Sequence, residues 1–168
     1  MSAESDDRAF DTIRLGTQAP SACSPVMGRD ERGFRIAAPR RVALAAAARI
    51  PVCATYQFGR ERRDLPGDLW GDVVIVAVDV THNRAWAMRL RPAELGEPPP
   101  EPEEGDAPPT RAPEEFPNAP MKGGAREFGH INLDAGKVLR LPAQPAIYYI
   151  HLTYAGYQSN TVRVAAAA

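Results

Sequence analysis

Several patterns that mark common functional classes are missing from this chain of 168 residues. It has two cysteines and three histidines, with no CxxC pair and no zinc-ligand spacing, which removes the best-marked metal motifs. None of its serines lies in a GxSxG elbow, and there is no P-loop or dinucleotide fingerprint. No apolar run approaches the roughly 20 residues of a membrane span. No cofactor and no membrane span are therefore expected.

The first residues also lack a secretion signal, because acidic residues stand where a basic n-region is needed and no apolar h-region follows. A cytoplasmic protein is expected by default, with export by an unconventional route or a removed leader as alternatives. In a chain without such a signal, two thiols are more often free than bridged. Free Cys23 and Cys53 are expected, and a bridge between them is the alternative.

Charge is distributed unevenly along the chain, although the net charge is only −1. Residues 93–120 hold eight acidic residues and one Arg, a net of −7, so the remainder carries +6. A basic body with an acidic loop would suit an anionic partner or a loop that folds onto its own surface, and scattered solvated charge is the simpler interpretation. Nucleic acid is not expected as a partner. The abundance of Arg and Ala is typical of a GC-rich bacterial genome.

The chain divides into an arm and one domain. Residues 1–32 are polar and predict an arm with at most one short element, mobile unless docked. Residues 33–168 predict a single soluble domain, interrupted at 92–120 by an acidic loop that holds most of the seventeen prolines. Such a stretch has too little apolar surface to offset the entropy of ordering it.

Period-two alternation predicts strands throughout the domain. One strand places five residues on a single face: Ile50, Val52, Ala54, Tyr56 and Phe58. The run "DVVIVAVDV" is apolar on both faces, which suits a central strand covered on both sides. It turns through "THNR" into a strand with Trp86, Met88 and Leu90 on one face. About seven short strands separated by turns predict an all-β antiparallel sandwich.

The last strands are the most regular part of the sequence. In "AIYYIHLTYAGYQSNTVRV" a hairpin is predicted, with a turn around Gly156. Four residues share the inward face of its first strand: Tyr148, Ile150, Leu152 and Tyr154. Val162 and Val164 are expected to point inward on the return strand.

The end of the chain resembles the end of many bacterial immunoglobulin-like and fibronectin-III-like modules. Their last strands commonly have P-G-x-Y, alternating apolar residues, a Gly turn and S-N-x-V-x-V. Here Pro145 to Tyr148 match the beginning, with Ala146 where Gly is usual, and Ser159 to Val164 match the end. "FRIAAPRRVAL" and "RIPVCATYQF" are similar to the first two strands. The resemblance implies an immunoglobulin-like sandwich without the inter-sheet disulfide of antibodies, in which Tyr148 bonds its hydroxyl to nearby backbone.

Catalysis has one candidate site. "HINLD" places His130, Asn132 and Asp134 on one strand face, where three ligand-type side chains could hold a hard metal ion. The simpler interpretation is that Ile131 and Leu133 face the core while the polar residues face water.

A binding site has a different candidate. The loop "GRERRDLPGDLWG" contributes Arg60, Arg62 and Arg63 as possible anion contacts and Trp70 as a platform for a sugar. Arginines in loops are as often solubilising charge, and such a tryptophan more often covers the end of a sandwich core.

The preferred hypothesis is a non-enzymatic binding or structural module that contacts another protein in a bacterial assembly through loops or strand edges. One alternative is a small metal-dependent or hydrolytic enzyme that uses His130, Asn132 and Asp134. The other is a carbohydrate-binding module that uses Trp70.

Overall fold

The structure is a computed structural model that describes residues 7–44, 49–58, 72–91, 95–96 and 127–168. Within these ranges the regular secondary structure is almost entirely β-strand, which confirms the expected all-β class. Two helices lie wholly within these ranges, a short 3-10 helix (Arg8–Phe10) and a one-turn helix α1 (Ala135–Val138), and Asp7, Asp72 and Leu95 are helical as well. The strands are β1 (Gly33–Ala37), β2 (Arg41–Ala43), β3 (Pro51–Phe58), β4 (Val74–Asp79), β5 (Arg84–Arg89), β6 (Glu127–Asp134), β7 (Ala146–Tyr154), β8 (Tyr157–Gln158) and β9 (Val162–Ala167).

The strands form two sheets. The small sheet has the order β1-β3-β6, and the large sheet has the order β2-β9-β7-β4-β5, with β8 paired to β7. Every described pair is antiparallel except β2 with β9, which is parallel, so the expectation of purely antiparallel sheets is wrong at this point. The cause is the "APR" stretch after β1. Pro39 has no N–H to continue a ladder, and the next residues pass to the large sheet, where the Arg40 carbonyl accepts from the Ala165 N–H.

The main core lies between the two sheets. As predicted from their alternation, β7 residues Tyr148, Ile150, Leu152 and Tyr154 are buried. Phe34, Phe58 and Tyr154 meet edge to face, with ring centroids 5.3 and 5.4 Å from Phe58. Such aromatic pairs add stability beyond the area they bury. The last hairpin is therefore one wall of the core.

Two details of that hairpin can be compared with the sequence predictions. Its turn is formed by Ala155 and Gly156, whose φ angles of 46° and 84° are those of a two-residue hairpin turn.

The Tyr148 hydroxyl has no hydrogen-bond partner in the described part of the chain, so the prediction that it bonds to nearby backbone is wrong. Burial, together with the negative charge of Asp79, raises the pKa of Tyr148. Tyr148 contributes by packing, with its ring against Trp86.

The Ser-Asn pair after β8 fastens the hairpin to its surroundings. The Ser159 hydroxyl accepts a hydrogen bond from the Leu152 N–H at 2.9 Å. The Asn160 side chain accepts from the Ile36 N–H and donates to the Ile36 carbonyl, at 2.8 and 2.9 Å. The two bonds of Asn160 satisfy backbone groups of β1, which belongs to the other sheet. The S-N element of the sequence therefore links the two sheets.

The amino-terminal arm, residues 7–32 of the described chain, is docked as a third layer on the small sheet. Thr17 forms an isolated antiparallel bridge with Asn132 of β6. Phe10, Ile13, Cys23 and Cys53 form a second buried cluster between the arm and β3. Both faces of β3 are buried as a result, which its alternation did not predict.

A disulfide joins the arm to the small sheet. Cys23 and Cys53 are bridged, with their Cα atoms 5.9 Å apart, so the expectation of free thiols is wrong. The missing secretion signal favoured free thiols, but the pairing depends on how the arm lies, which brings together residues 30 apart in sequence.

Most of the acidic loop at 92–120 lies outside the described residues. Its two described residues are anchored. Leu95 is fully buried in the main core. The Gly96 carbonyl accepts a hydrogen bond from the Gln18 side chain at 2.9 Å. Gly96 has a φ of 74° and leaves no room for a Cβ beside the Gly16 carbonyl. The start of this loop is thus part of the packed domain.

None of the described helices has the length and the apolar character needed to cross a membrane.

Candidate functional site

The loop residues predicted to bind, Arg60, Arg62, Arg63 and Trp70, lie outside the described residues. They stay predictions.

The structure places His130, Asn132 and Asp134 on one side of β6, with Ile131 and Leu133 in the core, as the alternation predicts. The polar side does not face water throughout, because the arm covers it. Asn132 is only 2% exposed. Its side chain donates to the Thr17 hydroxyl and the Ala19 carbonyl, and it accepts from the Ser21 hydroxyl at 3.0 Å. The hydrogen bonds of this amide hold the arm.

The two neighbours of Asn132 have separate partners. His130 Nδ1 lies 3.2 Å from the Thr55 hydroxyl, and burial lowers the pKa of His130. One oxygen of Asp134 accepts from the N–H groups of Ile50 and Lys137, at 3.1 and 3.2 Å, as the N-cap of α1. Within the described ranges, no group of three or more His, Cys, Asp and Glu side chains could hold a metal ion. These contacts give each of the three residues a structural role.

The side of the large sheet that points away from the core is a candidate surface, and we call it the outer face. It consists of the outward side chains of β4, β5, β7 and β9: Val74, Val76, Val78, Ala85, Ala87, Arg89, Ile147, Tyr149, His151, Thr153, Arg163 and Ala165. Most of them are apolar. They are half-buried or exposed, whereas on the matching side of the small sheet Thr55, Gln57 and Asn132 are buried and Phe128 is exposed.

The strand register assembles these side chains into continuous rows. One row runs from Ala85 through Val78 and Tyr149 to Arg163. Val78 and Tyr149 are 36% and 38% exposed. Neighbouring side chains on a sheet face form one surface. The outer face is therefore a continuous, mainly apolar patch with β4 and β7 at its middle.

The charges on this patch are cationic. Arg89 and Arg163 lie at its margins, and Arg41 of β2 is exposed beside Ala165. The outward strand positions named above include no acidic side chain. Asp72, just before β4, lies 3.7 Å from the Arg89 guanidinium. The patch thus combines an apolar centre with a positive margin.

A second arrangement, which the sequence predictions missed, lies in the turn between β4 and β5. Asp79 is fully buried. One of its oxygens accepts from the backbone N–H groups of Thr81 and His82, and the other lies 2.6 Å from His82 Nδ1. Burial raises the pKa of Asp79, but the hydrogen bonds from His82 and Thr81 outweigh that effect and hold it below its ordinary value. A carboxylate three residues before a histidine in a turn is the signal that could have predicted this pair.

The Asp79–His82 pair makes the free energy of unfolding depend on pH in the acid range. The pKa of Asp79 is lower in the folded chain than its ordinary value of 3.8. The ionised carboxylate therefore stabilises the folded state above pH 3.8, and this stabilisation is lost as the pH falls through the lower pKa of the folded state. We expect Asp79→Asn to flatten the fall in unfolding free energy as the pH decreases below about 4, measured by urea denaturation. Asp30→Asn, at an exposed carboxylate, is the control. An unchanged acid limb in Asp79→Asn would contradict this role.

Comparison of the chain with models of protein families, with curated proteins and with solved structures finds no match. The function proposed below is therefore argued from the residues of this chain alone.

Proposed function

We propose that the chain is a non-enzymatic binding module of immunoglobulin-like type that contacts another protein of a bacterial assembly through its outer face. The fold type is supported by strand order. In immunoglobulin-like sandwiches one sheet contains strands A, B and E, and the other contains C, F and G, with C′ added beside C in variable-type domains. The orders β1-β3-β6 and β5-β4-β7-β9 correspond to these two sheets.

The observation that carries the proposed function is the apolar outer face of β4. Val74, Val76 and Val78 point away from the core, in the strand whose other side packs Ile75 and Ala77 inside. A strand that is apolar on both sides suits a sheet covered on both sides. The opposite face of the sandwich already shows such a cover, since the arm lies over part of the small sheet. A partner protein would supply the cover here.

The positive margin indicates which kind of partner fits. Arg41, Arg89 and Arg163 would meet acidic side chains around an apolar patch. Two copies of this chain, placed outer face to outer face, would bring like charges together, which disfavours self-association. The proposed partner is therefore a different protein with an apolar surface and an acidic margin.

The disulfide bears on where the module works. Disulfides persist in oxidising compartments and are rare in the cytosol. We therefore place the module in an oxidising compartment, in preference to the cytoplasmic location expected from the sequence. Alkylation of free thiols in intact cells tests this placement, since a module in the reducing cytosol would react at both Cys23 and Cys53.

The outer face can be tested by crosslinking from Tyr149 and by a substitution at Val78. A photo-crosslinking amino acid at Tyr149 should give a discrete adduct in cells of the source organism, and the captured protein is then purified. We expect Val78→Asp to weaken binding of that protein by about tenfold or more, because it places a charge in the apolar contact. Isothermal titration calorimetry gives the dissociation constants.

The matched control is Phe128→Asp. Phe128 is 55% exposed on the small sheet, so this change also puts a carboxylate in place of an exposed apolar side chain. Its affinity should equal that of the unsubstituted protein. The proposal is wrong if Val78→Asp binds as well as Phe128→Asp, or if a crosslinker at Phe128 gives an adduct and one at Tyr149 does not.

A further inference from the structure

A cavity of about 490 Å³ opens at one end of the sandwich. Its volume is within the range of small-molecule sites, about 300–1,000 Å³. The described residues that line it come from the arm, from the end of β5 and from the segment around α1: Leu15, Gly16, Met88, Arg91, Asp134, Lys137, Val138 and Arg140. Three separate parts of the chain therefore converge on one concave surface.

Positive charge predominates among the described residues of this lining. Arg91, Lys137 and Arg140 are cationic, and Asp134 is the carboxylate that these residues include. Two backbone N–H groups, those of Ile50 and Lys137, already donate to Asp134 and offset part of its negative charge. Lys137 and Arg140 are exposed at the edge of the cavity. Apolar walls beside such cations in a concave surface strengthen their attraction for an anion.

The backbone at Arg140 is unusual for this residue type. Its φ is 53°, in the left-handed region where glycine is preferred after a helix. The Arg140 N–H donates to the Lys137 carbonyl and the Leu141 N–H to the Gly136 carbonyl, which closes α1 in a Schellman arrangement. Glycine would suit this position better. Strained positions are concentrated at functional sites, and here the strain accompanies a guanidinium at the cavity edge.

The remaining lining is apolar. Leu15 and Met88 are half-buried and Val138 is buried. One side of a bound ligand would therefore contact hydrocarbon in place of water. We propose that this cavity binds a small organic anion, in which a carboxylate or phosphate is attached to an apolar group. Lys137 and Arg140 would bind the oxyanion, and Leu15, Met88 and Val138 would contact the apolar group.

This site is separate from the outer face. Met88 lies on the inward side of β5, opposite to Ala87 and Arg89. Loss of the outer-face interaction would leave the cavity unchanged. The two proposals can therefore fail independently.

The test is a titration of the full chain, labelled with ¹⁵N and methyl ¹³C, followed by NMR. The probes are phenyl phosphate, phenylacetate, inorganic phosphate and benzyl alcohol. We expect saturable shifts at Gly16, Lys137, Arg140 and the Met88 methyl group with the first two probes. Inorganic phosphate should bind more weakly because it lacks the apolar group, and benzyl alcohol more weakly because it lacks the charge. The ratio of phenyl phosphate to phenylacetate affinity shows which oxyanion the site prefers.

Substitutions then decide the assignment. Arg140→Gly and Lys137→Gln should each raise the dissociation constant about tenfold or more, as expected for a charge-assisted hydrogen bond. Arg140→Gly should leave the melting temperature unchanged or raise it, because glycine accepts the left-handed backbone. Arg163→Gln, on the outer face, should bind as the unsubstituted chain does. The proposal is overturned if no probe gives saturable shifts up to about 10 mM, a far weaker affinity than most specific sites have. Equal affinities in all three variants, or shifts that map elsewhere, would overturn it too.

Discussion

Replacing Cys23 and Cys53 together by Ala should lower the free energy of unfolding by about 3–4 kcal/mol. The bridge closes a segment of the chain whose ends are 30 residues apart. A cross-link over a segment of that length removes conformational entropy mainly from the unfolded state. Guanidinium denaturation of the protein and of the double variant gives the difference. The same loss should follow when the unsubstituted protein is unfolded in the presence of a reducing agent.

The double variant supplies its own control, since a reducing agent should leave its stability unchanged. Hydrogen exchange locates the effect. The Asn132 N–H donates to the Thr17 carbonyl at 2.8 Å, and its protection depends on the arm remaining docked. Loss of protection at Asn132, with Ile150 still protected, is expected in the variant. A stability change below about 1 kcal/mol would show that the non-covalent contacts of the arm hold it without the bridge.

The alternation of the strands predicted the part of the fold that is determined by local pattern. Ile150 and Leu152 point inward because β7 alternates and one of its sides meets the other sheet. Trp86, Met88 and Leu90 likewise lie on the inward side of β5. In these strands large apolar side chains recur at every second position on the inward side, and burial of that side decides the register.

The docked arm could not be predicted in this way. Phe10, Ile13 and Leu15 are too loosely spaced to show periodicity, and their burial depends on β3, more than 35 residues away. Asn132 was expected in water because it alternates with Ile131 and Leu133. Its partners Thr17, Ala19 and Ser21 are more than 110 residues from it in sequence. Polar residues that bind distant backbone have no local pattern.

The candidate sites also differ in whether a local sequence pattern could predict them. The sequence indicated that "DVVIVAVDV" is apolar on both sides, which is the basis of the outer face. It gave no indication of the cavity, because Leu15, Met88 and Lys137 meet only after three segments have folded together. Arg140 also follows no sequence rule for a helix end, where Gly or Asn would mark the left-handed position.

Substitutions on the two sides of β7 distinguish residues that stabilise the fold from residues that are available for binding. Leu152 is fully buried opposite Ile75 of β4. Leu152→Ala should lower the free energy of unfolding by about 3–5 kcal/mol, because it removes buried hydrocarbon and leaves a cavity that two packed sheets fill poorly. His151→Ala, one position away, should change it by no more than about 0.5–1 kcal/mol, because His151 is half-buried on the outer face. Urea denaturation of both variants measures the difference.

Thr153→Ala is the second outward control, and Ile150→Ala the second inward test. If the inward and outward variants lose similar stability, something packs against the outer face in the isolated chain, and that face is not available to a partner. If the inward variants alone lose stability, the outward side of β7 contributes little to folding. Its Tyr149, together with Val78, is then free to serve binding, since substitution there alters the contact with a partner and leaves the sandwich intact.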